Sequence, residues 1–145
     1  MNSVPDPQTL KDEGMRLFQQ GKRREALATF EQAAAGFAAQ KDVGGQAEML
    51  NNIGVIQRVQ GQMDTAVSTL TQAAELFQQI GDASRHAQTL GNLGDLYAGQ
   101  KKYTEAARHY SNAAAQFAQS KEKEKQAQVL RALSLMELRR GQWLA

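Results

Sequence analysis

Large and small residues recur every forty positions along this chain, and no other feature restricts its fold as tightly. Gly14, Gly54 and Gly94 share one column, and Gly21 and Gly61 repeat the same step. Small residues hold Ala26, Ala66 and Ala106, and again Ala33, Ala73 and Ala113. Large ones hold Phe37, Phe77 and Phe117, then Phe30, Leu70 and Tyr110. Leu10, Leu50, Leu90 and Leu130 form a further column. A chain with this phase is built from copies of one small unit, each burying what its neighbour leaves bare.

Each unit reads as two helices. In LNNIGVIQRVQ the apolar residues Leu50, Ile53, Ile56 and Val59 follow a helical spacing. Gly61 ends that helix, and TAVSTLTQAAELFQQI places Ala66, Val67, Leu70, Ala73, Ala74 and Phe77 on one face. Asp82 suits the N-cap of the next helix, and Asp6 can cap the first, with Pro7 in its first turn. Composition agrees: Ala and Gln are abundant, proline occurs only at Pro5 and Pro7, and no run alternates as a strand does. The spacing predicts helices near 7–20, 23–39, 43–60, 63–79, 83–100, 103–119 and 123–140. Gly54 and Gly94 then mark close helix contacts, since a helical glycine costs about 1 kcal/mol relative to Ala.

LGNLGDLYAGQKK, residues 90–102, could be mistaken for a phosphate loop. Such loops sit between a strand and a helix, and no strand precedes this one. Its glycine spacing is also absent one unit earlier, where Asn51 replaces Gly91.

These columns resemble the tetratricopeptide repeat. Leu90, Leu93, Gly94 and Tyr97, then Ala106, Tyr110 and Ala113, follow that pattern closely. The second unit matches with Gln57 in the aromatic position, and the first with Glu13 in an apolar column. The usual repeat is about 34 residues with a proline near its end; a forty-residue period without proline is similar to repeats of kinesin light chains, LGN-type polarity adaptors and bacterial peptide sensors. The resemblance implies an all-α, right-handed α-solenoid of stacked antiparallel hairpins. One domain would span residues 1–145, with repeats near 7–40, 43–80 and 83–120 and a terminal helix at 123–140. It also implies a protein- or peptide-binding role in a concave groove, without catalysis or cofactor.

In that architecture the first helix of each hairpin faces the groove. Asn52 and Asn92 occupy one inward column, and carboxamides there hold the backbone of an extended peptide in the long-repeat relatives. A carboxamide carries both a donor and an acceptor, matching peptide C=O and N–H. The alternative is that both are ordinary exposed polar residues. Lys11, Asn51 and Arg131 share a second inward column; Asp95 lies in a third, with Met15, Val55 and Leu135, and Arg58 a turn further along. Lys11, Asn52 and Arg131 do not reproduce the basic spacing of the carboxylate clamp in chaperone-associated repeats.

Other chemistry is set aside. There is no cysteine, and His86 and His109, the two histidines, form no ligand pair, so no metal site is expected. Ser111 and His109 are two apart on a helix and do not face each other. KEKEK, 121–125, reads as a solvated linker or first helical turn. A net charge of +2, with its basic excess in residues 121–145, is too weak to imply nucleic acid. No apolar run approaches a membrane span and the N-terminus does not read as a signal peptide, so a cytoplasmic protein is expected.

The last helix is apolar on several sides, with Leu130, Leu133, Leu135, Met136, Leu138 and Trp143. Three readings account for it: homodimerisation through Leu135, Leu138 and Trp143, a chain that continues beyond residue 145, or a partner protein. Self-association is preferred, since an apolar patch of this kind is usually covered. An assembly module and a peptide-sensing regulator stand as alternatives to the adaptor reading.

Overall fold

The computed structural model describes residues 5–144, the side chains of 142–144 excepted. Seven helices follow one another: α1 (Pro7–Gln19), α2 (Arg23–Ala39), α3 (Val43–Val59), α4 (Met63–Gln79), α5 (Ala83–Gly99), α6 (Tyr103–Gln119) and α7 (Lys123–Leu144). No strand occurs among the described residues. Each expected helix is present, and α7 runs four residues past its expected end.

Three-residue turns link the helices, and all six are built alike. The middle residue of each has a left-handed backbone: Gly21, Gly61 and Gly81 with φ of 72–82°, and Lys41, Lys101 and Lys121 with φ of 59–62°. The next N–H reaches back five residues to a carbonyl, as in Lys22 N to Leu17 O at 2.9 Å and Lys102 N to Tyr97 O at 2.9 Å. This is the Schellman arrangement, which satisfies carbonyls that a helix end leaves open. Asp42 and Asp82 then start α3 and α5, their carboxylates accepting from Gly45 N at 2.9 Å and Arg85 N at 3.0 Å. Asp6 precedes α1 without such a bond, so the expected side-chain cap is not made there; Pro7, at the first helical position, removes one donor instead.

The chain divides into two compact units, Met1–Leu76 and Phe77–Ala145. In the first, Leu10, Leu17, Phe30, Phe37, Met49, Ile53 and Ile56 pack into one core with Ala26 and Ala33. The glycine column does what its spacing suggests. A Cβ at Gly14 would stand 2.6 Å from the Phe30 ring, and one at Gly54 2.6 Å from Leu70 Cδ2. Gly45 against Phe37 is tighter still, at 2.5 Å. In the second unit Gly94 lies against Tyr110 in the same manner. There Ala106, Ala107, Tyr110 and Met136 form a core joined by Val129, Ala132 and Leu133 of α7. Ala87, Ala113 and Phe117 form a second cluster. Helix α5 packs on α6, and α6 on α7.

Two departures from the repeat pattern are visible in the first unit. Gln57 is buried where the repeat carries an aromatic, and its side-chain oxygen has no hydrogen-bond partner. Glu13, in its apolar column, stays half-exposed and pairs with Arg16 one turn on. That guanidinium holds the Glu13 carboxyl below its ordinary value.

Candidate peptide-binding cleft

Within the second unit, α5 and α7 flank a cleft of about 280 Å³ with α6 beneath it. Gln88, Gly91, Asn92 and Asp95 line one wall from α5. Lys125, Gln128, Val129 and Ala132 line the other from α7, and Tyr110 and Phe117 contribute from α6. The walls are in repeat register, because Gln128 and Ala132 stand forty residues after Gln88 and Asn92. From Gln88 to Asp95 is two helical turns, about 10 Å. That length matches about three residues of extended chain.

The lining is mixed in a useful way. Three carboxamides, Gln88, Asn92 and Gln128, can each donate and accept. Phe117, Val129 and Ala132 offer apolar surface. Charge sits at opposite ends. At one, the Tyr110 hydroxyl donates to Asp95 Oδ1 at 2.5 Å. At the other, Lys125 Nζ lies 6.0 Å from the Phe117 ring centroid and donates to Glu122 Oε1 at 2.8 Å. Glu122 also accepts from Ser120 Oγ at 2.6 Å. These bonds, with one from Ser84, pull the Glu122 carboxyl down to about 2, Lys125 contributing most. Glu122 thus ties the turn before α7 to the first turn of α5. Residues 123–125 of KEKEK form the first turn of α7, the second of the two readings given from sequence.

Of the residues singled out from sequence, the cleft brings together Asn92, which is half-buried, and Asp95, which is exposed. Arg131 is exposed on α7 outside the lining, next to Ala132. In the first unit, Asn51, Asn52 and Arg58 are half-buried on α3. Lys11 of α1 pairs with Glu48 of α3 at 2.9 Å. Leu135 and Leu138 are 44% and 60% exposed, while Met136 between them is 3% exposed against α6. The Trp143 side chain lies outside the described residues.

Sequence reasoning missed Gln88, Gln128, Phe117 and Lys125 as cleft residues, and treated Tyr110 as packing alone. One signal could have found the Tyr110–Asp95 bond. Asp95 is the single charge in a column of Met15, Val55 and Leu135, and Tyr110 the single hydroxyl in a column of Phe30 and Leu70. Both departures fall in the same unit.

The remaining polar groups offer less. His86 Nδ1 and Gln116 Oε1 lie 2.6 Å apart beside a second cavity of about 220 Å³. His109 Nδ1 engages the carbonyl of Glu105 on its own helix at 2.8 Å, so it is not directed at Ser111. Among the described residues no group of three His, Cys, Asp or Glu could hold a metal ion, and no helix is long and apolar enough to cross a membrane.

Comparison with known proteins places this geometry. A tetratricopeptide repeat model matches residues 45–113, from the first turn of α3 into α6. No curated protein matches the sequence. Solved structures share the fold at low identity. BtubC from P. vanneervenii superposes with a TM-score of 0.84 at 20% identity, over 97% of this chain. The chain spans 60% of that protein's length. The Yersinia enterocolitica type III secretion chaperone SycD, in complex with a peptide of the translocator YopD, gives 0.77 at 16% identity, over 95% of this chain and 97% of the other. A putative kinesin light chain from Podosopora anserina gives 0.78 at 17% identity, over 97% and 70%. The forty-residue columns, the helix-pair geometry and the matched segment agree: residues 45–113 match the tetratricopeptide repeat, within an all-α chain of stacked helix pairs.

Proposed function

We propose that the chain is a protein-interaction module that binds an extended segment of a partner in the cleft between α5 and α7. The observation that carries this reading is the lining itself: two carboxamides one helical turn apart on α5 and a third facing them from α7, over an apolar floor. Carboxamides satisfy peptide N–H and C=O groups without demanding a particular side chain, and the floor gains from each apolar group it covers. The similar fold of SycD, seen with a peptide of YopD, supports the same use. Asn52 holds the position equivalent to Asn92 on α3 and serves the same backbone-holding role in the first unit.

The test is affinity capture with the full chain against Gly91→Leu. A Cβ at Gly91 meets nothing within 4 Å, so a leucine fits without disturbing the packing and fills the cleft. Partners lost from the variant, with the thermal unfolding midpoint no lower than the parent's, support the cleft; an identical set of partners contradicts it.

A second reading, self-association through α7, is favoured by one observation: Leu130, Leu135 and Leu138 are 42–60% exposed on that helix. Light scattering over a concentration series tests it. A dimer that Leu138→Glu dissociates supports it, and a monomer at every concentration removes it.

A further inference from the structure

We infer that the first unit carries a docking surface of its own at the α1–α2 turn, which takes an acidic segment of a partner protein: Lys22, Arg23 and Arg24 receive its carboxylates, and Met15 and Phe18 receive an apolar residue beside them. It lies outside the α5–α7 cleft and does not depend on the reading of that cleft.

The three cations stand together and open to solvent. Lys22, Arg23 and Arg24 are all exposed, and none makes an ion pair among the described residues. Arg85, Lys125 and Arg140, by contrast, each pair with a carboxylate three residues earlier. Glu13 is held by Arg16, and Lys22 acts on it only through space. Glu25 is the other acid at this end of the unit. Carboxylates brought by a partner would meet cations that no neighbour has already satisfied, as charge-assisted bonds require.

Packing does not call for this set. The equivalent residues are Gln62, Met63 and Asp64 in the second repeat and Lys102, Tyr103 and Thr104 in the third. Tyr103 packs against the α6–α7 core, where Arg23 stays in solvent. A cation in the first turn of a helix also opposes the helix dipole, where an acid would stabilise.

The apolar part lies one turn away. Lys11, Met15 and Phe18 are four and three residues apart, on one face of α1. The Lys11–Glu48 bridge at 2.9 Å shows that this face borders α3. Met15 and Phe18 are 40% and 37% exposed, and Val59 in the last turn of α3 is 46% exposed. The turn folds back onto this end of α1, with Gly21 N donating to Phe18 O at 3.0 Å and Lys22 N to Leu17 O at 2.9 Å. From Met15 to Lys22 is about 10 Å at helical rise, or about three residues of extended chain. An apolar residue with acids two or three positions away therefore spans the surface. Glu13 and Glu25 interrupt the patch, and three cations are fewer than the roughly four to eight that hold a segment on an anionic membrane. Discrete carboxylates suit it better than a continuous anionic sheet.

The experiment uses three labelled nonapeptide pools, read by fluorescence polarisation against the full chain. The first fixes Leu with Glu-Glu beginning two positions later, the second replaces both Glu by Gln, and the third replaces the Leu by Ser; all other positions are randomised. The first pool should bind about five- to tenfold more tightly than the second, an advantage that fades as salt rises. It should also bind more tightly than the third. Lys22→Gln/Arg23→Gln/Arg24→Gln should erase the acidic preference with an unfolding midpoint no lower than the parent's, because cations leave the first turn of α2. Met15→Gln should reduce the apolar preference. Lys101→Gln/Lys102→Gln/Arg108→Gln removes the same charge from the second unit and should change neither preference, and Gly91→Leu, in the α5–α7 cleft, should change neither. Equal binding of the first two pools, an acidic preference unchanged in the first-unit triple variant, or an apolar preference unchanged in Met15→Gln overturns the inference. So does an equal loss in the second-unit variant or in Gly91→Leu, or sedimentation with phosphatidylserine vesicles without binding of any pool.

Discussion

Gly94 of α5 lies directly against the ring of Tyr110 of α6, so that a Cβ at position 94 would come within 2.6 Å of Tyr110 Cε1. The ring is rigid and buried, and cannot give way as a flexible side-chain end could. Three residues earlier on the same helix, a Cβ at Gly91 meets open space. Gly94→Ala should therefore destabilise the protein, overpacking of about 1–3 kcal/mol outweighing the better helix propensity. Gly91→Ala should stabilise it by up to about 1 kcal/mol. Thermal unfolding should separate the two variants in opposite directions, by about 2–4 °C per kcal/mol.

The left-handed turns give a second contrast. Lys41, Lys101 and Lys121 hold the same backbone conformation that Gly21, Gly61 and Gly81 hold in the other turns. A side chain in that region costs about 1–2 kcal/mol, against about 0.5–1 kcal/mol for the added freedom of an unfolded glycine. Lys101→Gly should raise stability by about 0.5–1 kcal/mol, and Gly61→Ala should lower it by a similar amount. Urea denaturation of the two variants checks the signs.

Gln57 predicts a gain of another kind. Its buried side-chain oxygen has no partner, while Leu17 occupies the equivalent place in the first repeat. Gln57→Leu should stabilise by about 1–3 kcal/mol, the amount a buried unsatisfied polar group withholds. An unchanged or lowered unfolding midpoint would show that the amide contributes more than its unpaired oxygen costs.

Acid should act through Glu122. Its folded pKa, about 2, lies below the ordinary 4.5, so its contribution is complete above pH 4.5. That contribution is lost as pH falls from 4.5 towards 2. Glu122→Gln should show a shallower loss of thermal stability across that window than the parent chain. Side-chain carboxyl NMR should find Glu122 still ionised at pH 3.5, where an unpaired glutamate is mostly protonated.

The fold was legible because its information is periodic. Residues that pack, such as Gly54 with Leu70, lie sixteen apart in each repeat and announce themselves three times over. The turns were half legible: Gly61 and Gly81 carry a signal, whereas Lys41 and Lys101 take the left-handed conformation only because helices on both sides require it. The cleft was legible for Asn92 and Asp95, which stand in inward columns. It was not legible for Gln88 or Lys125, whose roles depend on how α5 and α7 oppose each other across α6. Lys11, read from the sequence as an inward basic residue, is engaged by Glu48 of a neighbouring helix, a pairing that no single column displays.

The account turns on a partner segment lying between α5 and α7, and backbone amide NMR of the full 15.9 kDa chain tests this most directly. With a nonapeptide from a partner that Gly91→Leu fails to capture as ligand, the shifts should concentrate at Asn92, Asp95, Val129 and Ala132. Shifts confined to the exposed Ser111 and Asn112 of α6, or to Leu135 and Leu138 of α7, would contradict it.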